Sequence, residues 1–390
     1  MNGRQVRRLY ALHKWTALIT GLFVLVLSLT GAAAMFREDI DLFLTPTRMV
    51  PANDEALEGS LPLQESLSAV RTRYPDAALN TLEIPARNDV ALTVVLRDDT
   101  TSREVFVDRF TATITGQRTG ETVANVLRQT HVRFYFFSWQ GRVAVGMFGI
   151  ALLISSVTGL LLYGPFMKGL AFGTIRRKRL QLAVADWHKL LGIVTLVFNV
   201  VIAITGVVLG LENLQRFSPV VRDALHPGPP PALLEATRAA AISNISIDSA
   251  ISSASAALPG VSFTRVALPS EARRYYRLRG SHDSRWTQQV SSDAVVHATS
   301  GDVLWSHDAR TGRLITRAYN LNEPLHFGTF GGLTVRVLYA ILGIASGGLS
   351  VLGFWLWILK RRRRRTARST VWHTESAASV ETAVDELSVR

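Results

Sequence analysis

Four stretches of this chain run almost free of charge for about 20 residues, the length at which an α-helix crosses a bilayer. They are Trp15–Phe36, Val143–Tyr163, Leu190–Leu211 and Val337–Leu359. Between the first and second, and between the third and fourth, lie polar stretches of about a hundred residues, each the size of a small domain. There the periodicity changes. Leu63–Pro75 and Ile247–Pro259 carry the spacing of an amphipathic helix that stops at proline. Two strand-like runs follow each helix, Ala91–Leu96 with Glu104–Val107 and Tyr275–Leu278 with Ala294–His297. The turn-rich stretches Asp108–Gly116 and Ala298–Gly301 come next.

This pattern predicts a mainly α membrane protein, a bundle of four transmembrane helices with two α+β lobes. The expected organisation is a terminus and first helix over 1–36, a lobe over 37–138 and a second helix over 139–165. A loop follows over 166–185, then a third helix over 186–211, a second lobe over 212–333 and a fourth helix over 334–359. Pro227–Pro231 reads as a stiff linker into the second lobe. The Ser/Thr/Ala-rich tail over 360–390 is expected to be disordered. The first apolar run resembles a secretion signal, yet it exceeds the usual 7 to 15 residues of such a region by roughly half again. Its pattern also recurs in the third helix, so a retained helix is expected.

That recurrence extends along the whole chain. At an offset of 175, His13-Lys14 falls on His188-Lys189, Thr20 on Thr195, Phe23 on Phe198 and Thr30-Gly31 on Thr205-Gly206. At an offset of 194, Arg142-Val143 meets Arg336-Val337, Gly149-Ile150 meets Gly343-Ile344, and Gly159 meets Gly353. His131 and His326 correspond to within one residue. The bundle reads as an internal duplication.

Charge fixes the expected orientation. The net +13 is not spread evenly: residues 37–133 hold 11 basic and 15 acidic side chains, and residues 212–323 hold 12 and 10. The excess therefore gathers at Arg4, Arg7, Arg8 and Lys14, in Arg176–Arg179 and in Lys360–Arg365, all beside apolar helices. By the positive-inside rule both termini and the middle loop are cytoplasmic and both lobes are periplasmic, in a multi-pass protein of a bacterial inner membrane. The basic clusters are then topology signals that also contact lipid, and nucleic-acid binding is not implied.

The same topology puts His13 with His188 at the cytoplasmic face and His131 with His326 at the periplasmic face. Two imidazoles facing each other across a bundle can supply both axial ligands of a haem iron. Lys14, Lys189, Arg142 and Arg336 are placed to meet haem propionates. The repeated glycines 31, 206, 159 and 353 leave room for a flat ring or a neighbouring helix. The chain has no cysteine, which excludes thiolate-ligated haem, covalent c-type haem and iron–sulfur clusters. The cofactors expected are therefore two b-type haems, bis-histidine ligated. His226, His282, His297, His307 and His373 have no repeat partner and are expected at the surface.

At these residues the chain resembles the PepSY-associated transmembrane family. The resemblance lies in Leu12-His13-Lys14-Trp15, Trp187-His188-Lys189 and Pro324-Leu325-His326-Phe327-Gly328, with the strand–turn–glycine ending of each lobe. His131 departs from that pattern, standing in Thr130-His131-Val132-Arg133 and not after a leucine. Characterised relatives are di-haem reductases of ferric siderophores. The resemblance implies that electrons pass from a cytoplasmic reductase or a membrane quinol to a periplasmic ferric siderophore, releasing Fe(II) for uptake. It also implies PepSY-like lobes and the ligand roles already given to the four histidines. Arg273, Arg277 and Arg279 share a strand face that would suit an anionic chelate. Two other readings stay open: a haem-free, membrane-anchored PepSY module acting on a periplasmic partner, and a transporter built from repeats.

Overall fold

The computed structural model describes residues 1–51, 61–97, 102–225, 228–237, 245–271, 273–284, 286, 292–311 and 313–388. Four of its helices are long and apolar enough to cross a membrane: Gly3–Ala34, Trp139–Met167, Leu196–Phe217 and Thr329–Arg363. Their many exposed Leu, Ile and Val side chains, such as Ile19 and Val197, suit a surface solvated by lipid chains. In chain order the elements up to the second long helix are α1 (Gly3–Ala34), α2 (Arg37–Leu44), α3 (Leu63–Arg73), β1 (Ala78–Glu83), β2 (Leu92–Arg97), β3 (Ser102–Val107), β4 (Ile114–Thr119), α4 (Val123–Arg133) and α5 (Trp139–Met167). They continue as α6 (Leu180–Val194), α7 (Leu196–Leu211), α8 (Pro219–Leu225), α9 (Pro231–Ala236), α10 (Ile247–Ala257), β5 (Val261–Ala267), β6 (Tyr275–His282), β7 (Ser292–His297), β8 (Val303–His307), α11 (Leu314–Asn320), α12 (Asn322–Phe327) and α13 (Gly332–Ser388).

The chain divides into two compact units, one of Met1–Ala32, Met147–Ile204 and Ile341–Arg390, the other of Ala33–Gly146 and Thr205–Ala340. In the first, α6 and α7 meet at Thr195. The Thr195 amide bonds Leu191 and the Asn199 amide bonds Thr195, so the hydrogen-bond ladder carries through with one local irregularity. Beside it a polar cluster is fully buried. Thr195 Oγ1 donates to the Leu191 carbonyl and accepts from Asn199 Nδ2, and Ser346 Oγ donates to Asn199 Oδ1 at 2.6 Å. Every polar atom there has a partner, which is what apolar surroundings demand.

The second unit holds an eight-stranded antiparallel sheet in the order β4-β3-β2-β1-β5-β6-β7-β8. Each polar stretch contributes four strands where sequence patterning suggested two. The two stretches share one sheet because β1 pairs with β5, with Thr81 opposite Ala267, Leu82 opposite Val266 and Glu83 opposite Arg265. Alternate residues Leu92, Val94 and Leu96, with Val105, Val266 and Leu278, face one core with Val70 of α3 and Ile247, Ala250 and Ala254 of α10. The two helices also cap each other. Asp248 accepts from the Leu63 and Gln64 amides, and Gln64 Oε1 accepts from the Ile247 amide. In the same unit α5 and α7 cross backbone on backbone, since a Cβ on Gly210 would come 2.5 Å from the Gly146 Cα.

Three expectations are revised. The backbone of α13 runs helical to Ser388 where a disordered tail was expected, and residues 354–388 contain no glycine or proline to stop it. The third apolar helix is preceded by helix from Leu180, inside the stretch read as a loop. His282, expected at the surface, is buried, with Nδ1 at the Gly260 carbonyl and Nε2 at Asp308. His226 and Pro227 lie outside the described residues, as does the His373 side chain.

Candidate functional site: two histidine pairs

His13 lies on α1 and His188 on α6, and their ring centres stand 6.3 Å apart with planes at 75°. His13 Nδ1 is 3.1 Å from the Ser155 carbonyl and 3.0 Å from Thr158 Oγ1. A carbonyl can only accept, so Nδ1 carries the proton and Nε2 keeps a lone pair. His188 occupies the corresponding place without the corresponding hydrogen bonds. Its Nδ1 is buried near the Leu349 carbonyl but outside hydrogen-bond geometry, and Leu349 lies 194 residues beyond Ser155. The two glycines at that same offset also match. A Cβ on Gly159 would sit 3.3 Å from His13 Cε1, and one on Gly353 would sit 3.5 Å from His188 Cε1.

The second pair is in the other unit. His131 on α4 and His326 on α12 have ring centres 6.2 Å apart and planes at 45°. Thr205 Oγ1 lies 2.8 Å from His326 Nδ1, and the Asn322 amide of the same short helix donates to the Thr205 carbonyl. A Cβ on Gly206 would come 3.5 Å from His326 Cε1. Burial, with His131 beside it, pushes His326 down to about 3. It is therefore neutral at physiological pH, the form in which imidazole binds a metal. Of the four glycines singled out in the sequence, 159, 353 and 206 thus lie against histidine rings.

The pairs can be tested against a bis-histidine haem. Two imidazoles sharing one iron through facing nitrogens, with metal–nitrogen bonds of about 2 Å, stand with ring centres about 6 Å apart. Both pairs have that spacing. In both, the Nδ1 and Cε1 edge of at least one ring is turned to a helix carbonyl or hydroxyl and a glycine, so that Nε2 is the atom of that ring that could coordinate a metal. Among the described residues no group of three or more His, Asp or Glu gathers to hold a bare ion. The donor set fits a metal whose other ligands come with it, as in a porphyrin.

The expected propionate partners are dispersed. Lys189 pairs with Asp186 at 2.7 Å, and that carboxylate also binds the Arg176 side chain and amide. Arg336 donates to the Met35 carbonyl and lies over Phe36. Lys14 sits over Trp15 at 4.3 Å. Arg142 falls in a cluster with Arg37, Arg128 and Arg133, three arginines that no sequence motif marked. The expected substrate arginines are also engaged: Arg273 with the Leu268 carbonyl, Arg277 with both oxygens of Asp293, and Arg279 with Asp293 at 3.4 Å. The aromatics that follow His131 differ in placement. Phe136 is largely exposed, whereas Trp139 packs edge-on to Phe217 beneath the Arg216 guanidinium.

Four membrane-length helices combined with a polar antiparallel sheet domain define a multi-pass membrane protein with a substantial α+β domain. The sequence makes the class specific. This chain belongs to the PepSY-associated transmembrane family, whose TM-region model matches residues 10–360. The uncharacterized protein PA4219 of Pseudomonas aeruginosa is 25% identical to it over 253 residues, a stretch covering 60% of this chain and 63% of that protein.

Proposed function

We propose that this protein is an inner-membrane di-haem b reductase that delivers electrons to periplasmic ferric siderophores. The carrying observation is the recurrence of one geometry: two imidazole pairs, 6.3 and 6.2 Å between centres. His13 and His188 would hold one haem at the cytoplasmic side, and His131 and His326 a second at the periplasmic side. When bound, such haems would supply one-electron transfer, which ligation by two imidazoles favours over oxygen chemistry. The chain's own residues fix the ligands. The Ser155 carbonyl sets the His13 tautomer, the Thr158 and Thr205 hydroxyls hold Nδ1 of His13 and His326, and Gly159, Gly353 and Gly206 let the rings seat against their helices.

The orientation rests on the basic clusters beside the helices, which make both termini cytoplasmic. The matching approach of Gly159 to the His13 ring and of Gly353 to the His188 ring supports descent from a duplicated helix–lobe–helix unit. The substrate would be a ferric chelate, reduced by one electron to Fe(II). Loss of charge on the metal weakens its bonds to hard oxygen ligands and frees it for uptake. The donor would be a cytoplasmic reductase or a membrane quinol.

Haem content of the purified protein tests the reading. Two b-type haems per chain are expected from the Soret band and the pyridine haemochrome. His188→Ala should remove about half the haem, and His188→Ala with His326→Ala nearly all of it. A colourless protein from haem-replete cells would leave a haem-free PepSY binding module as the better account. Reoxidation of the dithionite-reduced protein by a panel of ferric siderophores, without oxygen, then identifies the substrate.

A further inference from the structure

We infer that Arg37, Arg128, Arg133 and Arg142 form a carboxylate-binding site beside the second histidine pair. Three elements bring them together. The helix α4, which carries Arg128, His131 and Arg133, packs on α2, whose first residue is Arg37. The first turn of α5, which carries Arg142, presses on the end of α4, so closely that a Cβ on Gly141 would come 2.4 Å from the Arg133 carbonyl. At the centre stands Arg128. Burial and the charges of Arg37, Arg142 and Arg133 pull its guanidinium below the usual range.

Several arginines elsewhere in this unit are matched by acids, Arg48 and Arg118 by Asp41, Arg277 by Asp293 and Arg310 by Asp308, while Arg109 and Arg273 bond backbone carbonyls. Among the described residues none of the four clustered arginines has a carboxylate partner, and Arg133 Nε is buried with nothing to bond. Like charges brought together around one unfilled donor would be relieved by a bound anion. The guanidinium fork fits a carboxylate with two parallel bonds.

Arg128 precedes His131 by three residues and so lies on the same face of α4, one turn away. The bound carboxylates therefore stand next to the metal-binding ring. Two sources fit that place: the propionates of a haem held by His131 and His326, and the carboxylates of an arriving ferric chelate. Naming these sources rests on the proposed function, whereas the site itself rests on the arginines alone.

The test uses the full-length protein in detergent, the double variant Arg128→Gln with Arg142→Gln, and the corresponding Lys variant, which keeps charge and removes the fork. Each is measured for haem per chain, for rebinding of haem and haem dimethyl ester after extraction, and for thermal stabilisation by citrate. If the propionates are the ligand, the Gln variant retains about half the haem and the dimethyl ester rebinds to the wild type no better than haem does to the variant. If the chelate is the ligand, haem stays at the wild-type level. Citrate protection is then lost, and KM for ferric citrate rises roughly tenfold or more. In either case the Lys variant falls between. Unchanged haem, ester discrimination and citrate response in the Gln variant would overturn the site while leaving the proposed function standing. Citrate protection of a haem-free wild type, lost in the Gln variant, would do the reverse.

Discussion

Gly159 and His13 touch across two helices, with room for a hydrogen between them and too little for a methyl group. The 3.3 Å that a Cβ would leave to His13 Cε1 is tighter than the 3.5 Å at the corresponding contact of Gly353 with His188. Gly159→Val should therefore displace the His13 ring and empty the first pair, leaving about one haem per chain. Gly353→Ala, at ordinary contact distance, should change little. Haemochrome assays of the two variants check both outcomes.

The hydroxyls of Thr158 and Thr205 make a sharper comparison. Thr158→Val leaves His13 Nδ1 its bond to the Ser155 carbonyl, whereas Thr205→Val removes the hydroxyl 2.8 Å from His326 Nδ1. Affinity at the second pair should fall by about 10- to 100-fold, the usual cost of an outer-sphere partner, and by much less at the first. Haem dissociation to apomyoglobin measures the ratio. Equal loss at both pairs would mean that the carbonyl does not orient His13.

Asp186 anchors the segment before the third apolar helix. Its side chain is wholly buried between Arg176 and Lys189. Asp186→Ala would leave two cations facing a vacated site and should destabilise the protein by about 3 kcal/mol. Asp186→Asn, which still accepts from the Arg176 amide, should cost less. Thermal unfolding in detergent tests the order.

A pH dependence follows from Asp308 in the sheet domain. The Arg310 guanidinium, together with its backbone amide and His282, outweighs burial and holds this carboxyl well below its usual 3.8. A depressed folded value means that the stabilisation is complete above 3.8 and is lost as the pH falls toward the folded value. Denaturant melts should show an acid limb below about pH 4 that Asp308→Asn flattens. An unchanged limb would assign acid lability to other carboxylates.

The buried Asn199–Ser346 bond joins two apolar helices at 2.6 Å. Asn199→Leu should cost about 1 kcal/mol, because Ser346 Oγ keeps its bond to the Leu342 carbonyl. A double-mutant cycle with Ser346→Ala isolates the coupling. A coupling of zero would show that packing alone joins the helices here.

Much of this was readable along the chain because the governing forces are local. Four charge-free runs identify helices, since a helix satisfies its own backbone whatever surrounds it. The repeated contexts of His13, His188, His131 and His326 grouped them in twos, and the rings of each two stand 6.3 and 6.2 Å apart. The tail shows the limit of composition: a Ser/Thr/Ala-rich stretch read as disordered is helical in backbone, because nothing in it breaks a helix.

What only the tertiary structure decided depends on contacts between distant segments. Edge pairing of β1 with β5 turns two apparent lobes into one sheet, and strand edges carry no label of the partner they will meet. Lys189 looked available until Asp186 folded against it, and His282 looked exposed until Asp308 reached it. Arg37, Arg128, Arg133 and Arg142 form no motif in order. Their common site exists only where three helices converge, because charge acts through space and not along the chain.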